Sequence, residues 1–251
     1  MRVALFATCL GDQLFPHVAV SSVKLLRHLG VDVDFPERQT CCGQPAYNAG
    51  YHQETRDIAK HHLDVFDGYD YVVLPSGSCG AMVRTHYPEL FEQQPENYRR
   101  ARDLGERTFE LTTFVTEVLG RDDIGADLGG MNVTYHDSCH AMRFMQVKDA
   151  PRRLLKAAGA DIAEAQGHDV CCGFGGLFSV KMPDISSAMA KAKIEGVVAT
   201  EAPVLTSTDA GCLMQLQGTF HREKVDVKIE HVVDLLWKGV EKAQAKTAAA
   251  F

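Results

Sequence analysis

The sequence predicts an α/β fold of two pseudo-symmetric repeats, each a small parallel sheet flanked by helices. The eight cysteines occupy two matching sets of positions: Cys9, Cys41, Cys42 and Cys79, then Cys139, Cys171, Cys172 and Cys212. In both sets 31 residues separate the first cysteine from the adjacent pair, and 36 or 39 residues then separate the pair from the last. In both halves short apolar segments alternate with helical patterns, which is typical of βαβ units. The chain is therefore interpreted as a duplication.

The first repeat is predicted to occupy residues 1–125. "MRVALFATC" (1–9) reads as a strand that ends at a cysteine, and Pro16 opens a helix that Gly30 ends. A second helical pattern covers 54–66, where "KHH" (60–62) is interpreted as surface. "YVVLP" (71–75) predicts a strand before "SGSC", and "FELTTFVTEVLG" is expected to close the repeat as a helix.

The second repeat, residues 126–251, follows the same order after the Gly- and Asp-rich stretch 120–130. "MNVTYHDSC" (131–139) predicts its first strand, and Pro151 and Gly159 bracket the following helix. A helical pattern covers 185–198, "PVLTS" (203–207) predicts a strand before "DAGC", and "IEHVVDLLWKG" is the expected closing helix. The match of element order supports the duplication.

The predicted topology brings distant cysteines together. In each repeat one cysteine follows the first strand, the adjacent pair follows the second and one follows the third. Loops after parallel strands emerge at the carboxyl edge of a sheet, where open α/β folds bind ligands. We therefore expect the four cysteines of each repeat to meet at that edge.

Composition excludes several classes of function. The formal net charge of −7 argues against a nucleic-acid partner, because phosphate binding requires clustered Lys and Arg. No apolar run approaches the roughly 18 residues of a membrane span, and the short apolar N-terminus is interpreted as a strand instead of a signal peptide. We expect a cytoplasmic protein, in which eight cysteines stay reduced instead of forming four disulfides.

Four gathered thiols have several possible uses. They can be buried core residues, redox-active vicinal disulfides, a Cys₄ zinc site in each repeat, or ligands of iron–sulfur clusters. Structural zinc sites usually use C-x₂₋₄-C spacing, whereas adjacent thiolates can bind two different irons of one cluster. Soft thiolate ligands also select iron–sulfur clusters. The pattern therefore favours a multi-iron site in each repeat.

The segments "QTCCGQPAYNAGY", "LPSGSC", "TYHDSCHAMR", "CCGFGGLFSVK" and "GCLMQL" resemble the cysteine-rich CCG domain family. This family includes the cysteine-rich chain of heterodisulfide reductase, glycolate oxidase iron–sulfur proteins and the small iron–sulfur proteins of three-component lactate-oxidation systems. The resemblance implies one [4Fe–4S]-type cluster per repeat, held by the eight cysteines, and electron transfer during oxidation of L-lactate to pyruvate. It also implies two companion subunits, a ferredoxin-like iron–sulfur protein and a third component.

One departure from the family leaves the cluster type open. The fuller family pattern ends in C-x-x-C, but Cys79 and Cys212 have no cysteine three residues away. An ordinary four-cysteine cluster, a cluster with an oxygen ligand from Asp209 and zinc in one repeat remain alternatives. For the whole chain, the alternatives are a thiol/disulfide catalyst and a zinc-stabilised assembly subunit. No nucleotide-binding motif is present, so the chain is expected to act as a non-autonomous oxidoreductase subunit.

Residues around Cys139 suggest a weaker hypothesis. His136, Asp137 and His140 could form a base for a cysteine nucleophile. Because Cys139 already belongs to the repeated frame, His136 is interpreted as a residue that fixes the loop or tunes a cluster through hydrogen bonds. The three glycines after the second cysteine pair also predict that the second site is the more exposed one.

Overall fold

Two four-stranded parallel sheets, one in each repeat, form the centre of the computed structural model, which describes residues 1–249. The strands of the first sheet are β1 (Arg2–Leu5), β2 (Asp32–Asp34), β3 (Tyr71–Leu74) and β4 (Thr108–Glu110). Those of the second are β5 (Asn132–Tyr135), β6 (Asp161–Ile162), β7 (Val204–Ser207) and β8 (Lys228–His231). This confirms the predicted α/β fold of two repeats.

Helices connect the strands. In the first repeat they are α1 (Cys9–Leu14), α2 (Pro16–His28), α3 (Gln44–Asn48), α4 (His52–Val65), α5 (Gly77–Ala81), α6 (Tyr87–Leu90), α7 (Pro95–Glu106) and α8 (Leu111–Thr113). In the second they are α9 (Cys139–Phe144), α10 (Asp149–Ala157), α11 (Leu177–Lys181), α12 (Pro183–Val198), α13 (Ala210–Glu223) and α14 (Val232–Ala249). Two π-helical segments, Met82–His86 and Phe114–Val118, continue α5 and α8. No helix within residues 1–249 is long and apolar enough to cross a membrane.

The strand orders of the two sheets are identical, β2-β1-β3-β4 and β6-β5-β7-β8. In the register, Val3 pairs with Val33 and Tyr71, and Val133 pairs with Ile162 and Val204. The strands β3 and β7 are almost wholly buried, as expected for parallel strands covered by helices on both faces.

The fourth strand of each sheet corrects the prediction. The sequence predicts wholly helical closing segments, but each begins with a strand, β4 or β8, that pairs with β3 or β7. These strands have three and four residues, which is too short for an alternating pattern to separate them from the helix that follows. Pairing with the neighbouring strand, a tertiary interaction, decides their structure.

The two repeats share one hydrophobic core. It includes Leu5 and Leu26 from the first repeat and Val133 and Leu236 from the second. Helix α2 packs on α14 and α8 on α10, while α5 packs on α9 and α1 on α13. When the two repeats are exchanged, the α2–α14 pair becomes the α10–α8 pair, and the α5–α9 pair becomes the α13–α1 pair. The interface between the repeats is therefore pseudo-twofold. The predicted boundary between residues 125 and 126 stays a prediction.

Helices α5 and α9 approach each other at a glycine. A Cβ atom on Gly77 would lie 2.2 Å from Cβ of Ala141 and 2.7 Å from its Cα. Contacts this short do not occur between carbon atoms, so the two helices pack at this distance only because residue 77 has no side chain. The junction between the repeats therefore depends on Gly77.

We predict that Gly77→Ala destabilises the chain by about 1–3 kcal/mol, because the added methyl group overpacks the interface. Gly218→Ala is the matched control: Gly218 also lies in a helix, α13, with nothing within 4 Å of an added Cβ. It should be neutral or stabilising, since alanine favours helix more than glycine does. Urea unfolding of both variants measures the difference, and equal stabilities would contradict the prediction.

Glu110 is a fully buried carboxyl group at the end of β4. Its Oε2 accepts hydrogen bonds from the backbone N–H of Thr112 (2.9 Å) and Thr113 (3.3 Å), so it caps α8. Its Oε1 has no hydrogen-bond partner within residues 1–249. Burial disfavours the charged form and raises the pKa of Glu110 to about 7. The folded chain therefore binds this proton more tightly than the unfolded chain.

This raised pKa predicts a pH dependence of stability. Protonated Glu110 contributes to the stability of the folded chain. This contribution is fully present below the ordinary pKa of 4.5 and is lost as the pH rises through the folded-state pKa of about 7. Glu110→Gln keeps a capping oxygen and cannot ionise. The free energy of unfolding of this variant, relative to that of the parent chain, should increase by about 3 kcal/mol as the pH rises from roughly 4.5 to 8.

Urea unfolding of the reduced chain across this pH range tests the Glu110 prediction. The exposed Glu92 supplies the control, because Glu92→Gln makes the same chemical change away from any buried site. A constant stability difference between Glu110→Gln and the parent would show that Glu110 does not bind its proton as described.

Candidate functional site

The eight cysteines lie where the sequence predicts, after the first three strands of each sheet. Cys9 and Cys139 are the first residues of α1 and α9. The adjacent pairs lie in the loops after β2 and β6, and the last cysteines lie in the first turns of α5 and α13. All eight are free thiols.

In the first site the sulfur atoms form two close pairs. Sγ of Cys9 lies 3.3 Å from Sγ of Cys41, and Sγ of Cys42 lies 3.4 Å from Sγ of Cys79. These distances allow S–H···S hydrogen bonds. Cys42 and Cys79 are buried in the apolar core of the first repeat, whereas Cys9 and Cys41 are partly exposed.

The second site repeats this arrangement. Cys139 and Cys172 are the neighbouring thiols that act on the Cys171 sulfur, and the Gly173 N–H lies 3.4 Å from it. Cys172 in turn interacts with Cys212, and both are buried. The second site therefore gathers the four cysteines that correspond to those of the first.

One cysteine in each site is arranged to be a thiolate. Hydrogen bonds from Cys42 and Cys9 lower the pKa of Cys41 to about 2, and bonds from Cys139 and Cys172 lower the pKa of Cys171 to about 2. The pKa values of the partners are raised, because each holds its proton in a bond to that thiolate. In each site the neighbouring thiols thus favour the thiolate form of one cysteine.

The two sites face a single cavity of about 800 Å³ that all eight cysteines line. Much of the remaining lining is apolar and includes Leu10, Pro45, Phe174 and Met214. Loops at the carboxyl edges of both sheets line this cavity, so both repeats form its wall. Eight sulfur ligands in a mainly apolar cavity form a site whose donor chemistry fits soft metal centres, iron–sulfur clusters above all.

Glycine after each cysteine pair lets the pair sit close to the following helix. Gly43 and Gly173 have φ angles of 82° and 86°, which side-chain-bearing residues rarely adopt. A Cβ on Gly173 would also lie 2.5 Å from the carbonyl oxygen of Ser186. The glycine of each CCG motif therefore sets the position of the adjacent thiols.

Asp209 joins the two sites. Its Oδ1 accepts from the N–H of Gly211 (3.1 Å) and caps α13, while its Oδ2 accepts from the N–H of Ser78 (2.8 Å) and the hydroxyl of Ser76 (3.3 Å) in the first repeat. Ser76 is the residue that caps α5. Both carboxylate oxygens accept hydrogen bonds, so Asp209 joins the repeats; its suggested oxygen ligation stays a prediction.

The buried Asp137 belongs to an ionic network. Both of its oxygens accept from the guanidinium of Arg152 (2.8 and 2.9 Å), and one accepts from Nδ1 of His168 (2.6 Å). Its carboxylate is therefore committed to orienting the loop after β6. His140 Nδ1 lies 3.5 Å from Sγ of Cys139, but Asp137 does not act as part of a base for that cysteine.

Two buried polar residues beside the sites do not follow from sequence reasoning. His62, expected at the surface, is fully buried on α4, and Lys193 is its counterpart on α12 with 4% exposure. Burial lowers the pKa of both side chains, and the pKa of His62 falls to about 4. The signal is present in the sequence as a buried helical stripe, with Thr55 and Ala59 preceding His62 at helical spacing.

The exposures of the cysteines do not follow the predicted asymmetry. Cys42 and Cys172 are 1% and 2% exposed, and Cys79 and Cys212 are 9% and 7% exposed. The additional glycines of the second loop therefore leave the second site as buried as the first. The difference between the sites lies in the residues around the sulfurs.

Comparison with known proteins defines the class of protein. The sequence profile described as a cysteine-rich domain, CCG, matches the chain twice, at residues 3–84 and 133–217. These ranges contain all eight cysteines and the first three strands of each sheet. The chain belongs to the CCG cysteine-rich domain family.

Relatives within this family match almost the whole chain. Lactate utilization protein A of Exiguobacterium sp. (strain ATCC BAA-1283 / AT1b) is 46% identical over 245 residues, covering 96% of this chain and 99% of that protein. Lactate utilization protein A 1 of Bacillus anthracis is 45% identical over 243 residues, covering 96% of this chain and 100% of that protein.

Among solved structures, an aspartate racemase homologue from Pyrococcus horikoshii OT3 overlaps 97% of this chain and 98% of its own at 10% identity, with a TM-score of 0.35.

Proposed function

We propose that this chain binds two iron–sulfur clusters, one in each repeat, and carries electrons in the oxidation of L-lactate to pyruvate. Cys9, Cys41, Cys42 and Cys79 would hold the first cluster, and Cys139, Cys171, Cys172 and Cys212 the second. The chain acts as a cytoplasmic, non-autonomous subunit alongside a ferredoxin-like iron–sulfur protein and a third component.

The observation that supports this proposal is the convergence of eight free cysteines on one cavity of about 800 Å³. Core cysteines would be scattered through the apolar interior, whereas these follow the first three strands of both sheets and meet where α/β folds bind ligands. The names of the relatives supply the substrate class, since both are lactate utilization proteins.

The electron count of the reaction fits two sites. Oxidation of lactate to pyruvate breaks the C–H and O–H bonds of the alcohol and releases two electrons and two protons. Iron–sulfur clusters supply one-electron transfer when bound, so two sites on one chain match the two electrons. The residues of this chain hold the sulfurs in place, exclude water with apolar lining and set the charge around each site.

Zinc-stabilised assembly is a second candidate, favoured by one observation. The close sulfur pairs are 3.3 and 3.4 Å apart. Four sulfurs at about 2.3 Å from a tetrahedral zinc would be roughly 3.8 Å from one another, which is a similar separation. In that case the chain would be a scaffold for its partners and would carry no electrons.

Thiol/disulfide catalysis is a third candidate, favoured by the lowered pKa values of Cys41 and Cys171. Both cysteines are partly exposed and their pKa values are lowered by neighbouring thiols, which favours the thiolate form that acts as a nucleophile. A catalyst of this kind would act on a disulfide without bound metal.

Metal analysis separates these candidates. After anaerobic purification we expect about eight irons and eight sulfides per chain, four of each per cluster. Cys42→Ser and Cys172→Ser should each reduce the iron to about half, because each repeat builds its own site; each variant is the matched control for the other. Zinc without sulfide would establish the scaffold, and a reactive metal-free chain would establish the thiol catalyst.

Reconstitution tests the role in lactate oxidation. The isolated chain should not oxidise lactate, and activity should appear only when both companion subunits are added, because an electron carrier requires a donor and an acceptor. Cys172→Ser, added in place of the parent chain, should abolish this activity. Rapid lactate turnover by the isolated chain would contradict the assignment as a subunit.

A further inference from the structure

His136 is the first residue after β5 and lies next to the sulfurs of the second site. Its backbone N–H donates to the carbonyl of Thr206 (2.8 Å) and so extends the pairing of β5 with β7. The side chain is 1% exposed. The buried Sγ atoms of Cys172 and Cys212 lie close to its imidazole ring.

The hydrogen bonds of the ring fix which nitrogen carries the proton. Nδ1 lies 3.2 Å from the carbonyl oxygen of His168, and a carbonyl can only accept, so Nδ1 donates. Nε2 is therefore the unprotonated nitrogen, and its lone pair has no hydrogen-bond partner within residues 1–249. A ligating nitrogen of His136 and the Sγ atoms of Cys172 and Cys212 lie within 4.8 Å of one another.

This geometry has the features of a metal-binding histidine. Such histidines almost always donate their other N–H to a carbonyl or carboxylate, which fixes the ring orientation. A buried nitrogen without a partner carries a desolvation cost, and a bond to a metal offsets that cost. Nζ of nearby Lys193 donates to the same His168 carbonyl (3.0 Å).

The first repeat has no equivalent donor within the described residues 1–249. Phe6 occupies the position that His136 occupies in the second, since its N–H makes the corresponding bond to β3, to the carbonyl of Val73. The buried histidine of the first site, His62, has both ring nitrogens engaged, with the hydroxyls of Thr40 (3.1 Å) and Tyr87 (3.2 Å). An available imidazole nitrogen therefore distinguishes the second site.

We propose that Nε2 of His136 is a ligand to iron in the second site, alongside the four cysteines of that repeat. This inference rests on the proposed function, because it requires a cluster in that site. A neutral imidazole adds a nitrogen donor without adding the negative charge of a thiolate, and the ligands of an iron–sulfur centre set its potential. The two clusters should therefore differ in potential.

Pulsed electron paramagnetic resonance on the whole chain tests the ligand directly. The chain is labelled with ¹⁵N-histidine, reconstituted anaerobically with iron and sulfide, and reduced by one electron per cluster. We expect a strongly coupled histidine nitrogen in the parent chain. It should be lost in His136→Phe, which copies the first repeat.

Two control variants keep the assignment specific. His62→Gln removes the buried histidine of the first site, and His140→Gln removes a histidine whose Nδ1 lies 3.5 Å from a cysteine sulfur. Both should retain the coupled nitrogen. A redox titration adds an independent measurement: the parent should show two potentials, and His136→Phe should shift one of them.

The outcomes are distinguishable from those of the proposed function. Clusters without a coupled histidine nitrogen in the parent chain, or a coupling that persists in His136→Phe, overturn the inference and leave the proposed function intact. Absence of any cluster in the parent chain overturns the proposed function and the inference with it. Should His136→Phe fail to fold, the parent spectrum and the His140→Gln and His62→Gln spectra still decide whether a histidine other than these two is bound.

Discussion

Parallel strand pairing is the constraint on which the site depends. Because β1, β2 and β3 run in one direction, the loops that follow them emerge at one edge of the sheet, and β5, β6 and β7 repeat this in the second half. Cysteines far apart in sequence are thereby placed within hydrogen-bonding distance, as the 3.3 Å contact between Cys9 and Cys41 shows. An antiparallel pairing of any of these strands would send one loop to the opposite edge and remove its cysteine from the set.

The second constraint is the contact between the two edges, which turns two four-sulfur sites into one cavity. Ser76 and Asp209 are counterparts in the repeats and cap counterpart helices, α5 and α13. They also bond to each other across the interface, so the side chains that start the cysteine-bearing helices also join the halves. The close approach at Gly77 brings α5 against α9, the helix that begins with Cys139. Packing of the repeats and placement of the sulfurs are therefore set by the same few residues.

Much of this can be predicted from the sequence, because the cysteine frame, the strand segments and the turn residues are local signals repeated twice. The fold class, the order of the first three strands and the meeting of the cysteines all follow from them. The parts that cannot be predicted depend on tertiary contacts. The strand Thr108–Glu110 is too short to show a period, and the bond between Asp209 and Ser78 cannot be foreseen because Ser78 belongs to the other repeat. His62 and Lys193 carry polar side chains, which sequence patterns do not assign to a buried face.

The duplication has kept the sulfur ligands and changed their surroundings. The first site is bordered by neutral groups, with His62 held between the hydroxyls of Thr40 and Tyr87. The second is bordered by Lys193, whose Nζ donates to the carbonyl of His168 (3.0 Å), and by the ion pair of Asp137 with Arg152. A positive charge near a cluster stabilises an added electron, and its effect is large where water is excluded. If both repeats hold clusters as proposed, Lys193 would therefore favour electron flow from the first repeat to the second. Two matching sets of cysteines would then differ in potential through the residues that surround them.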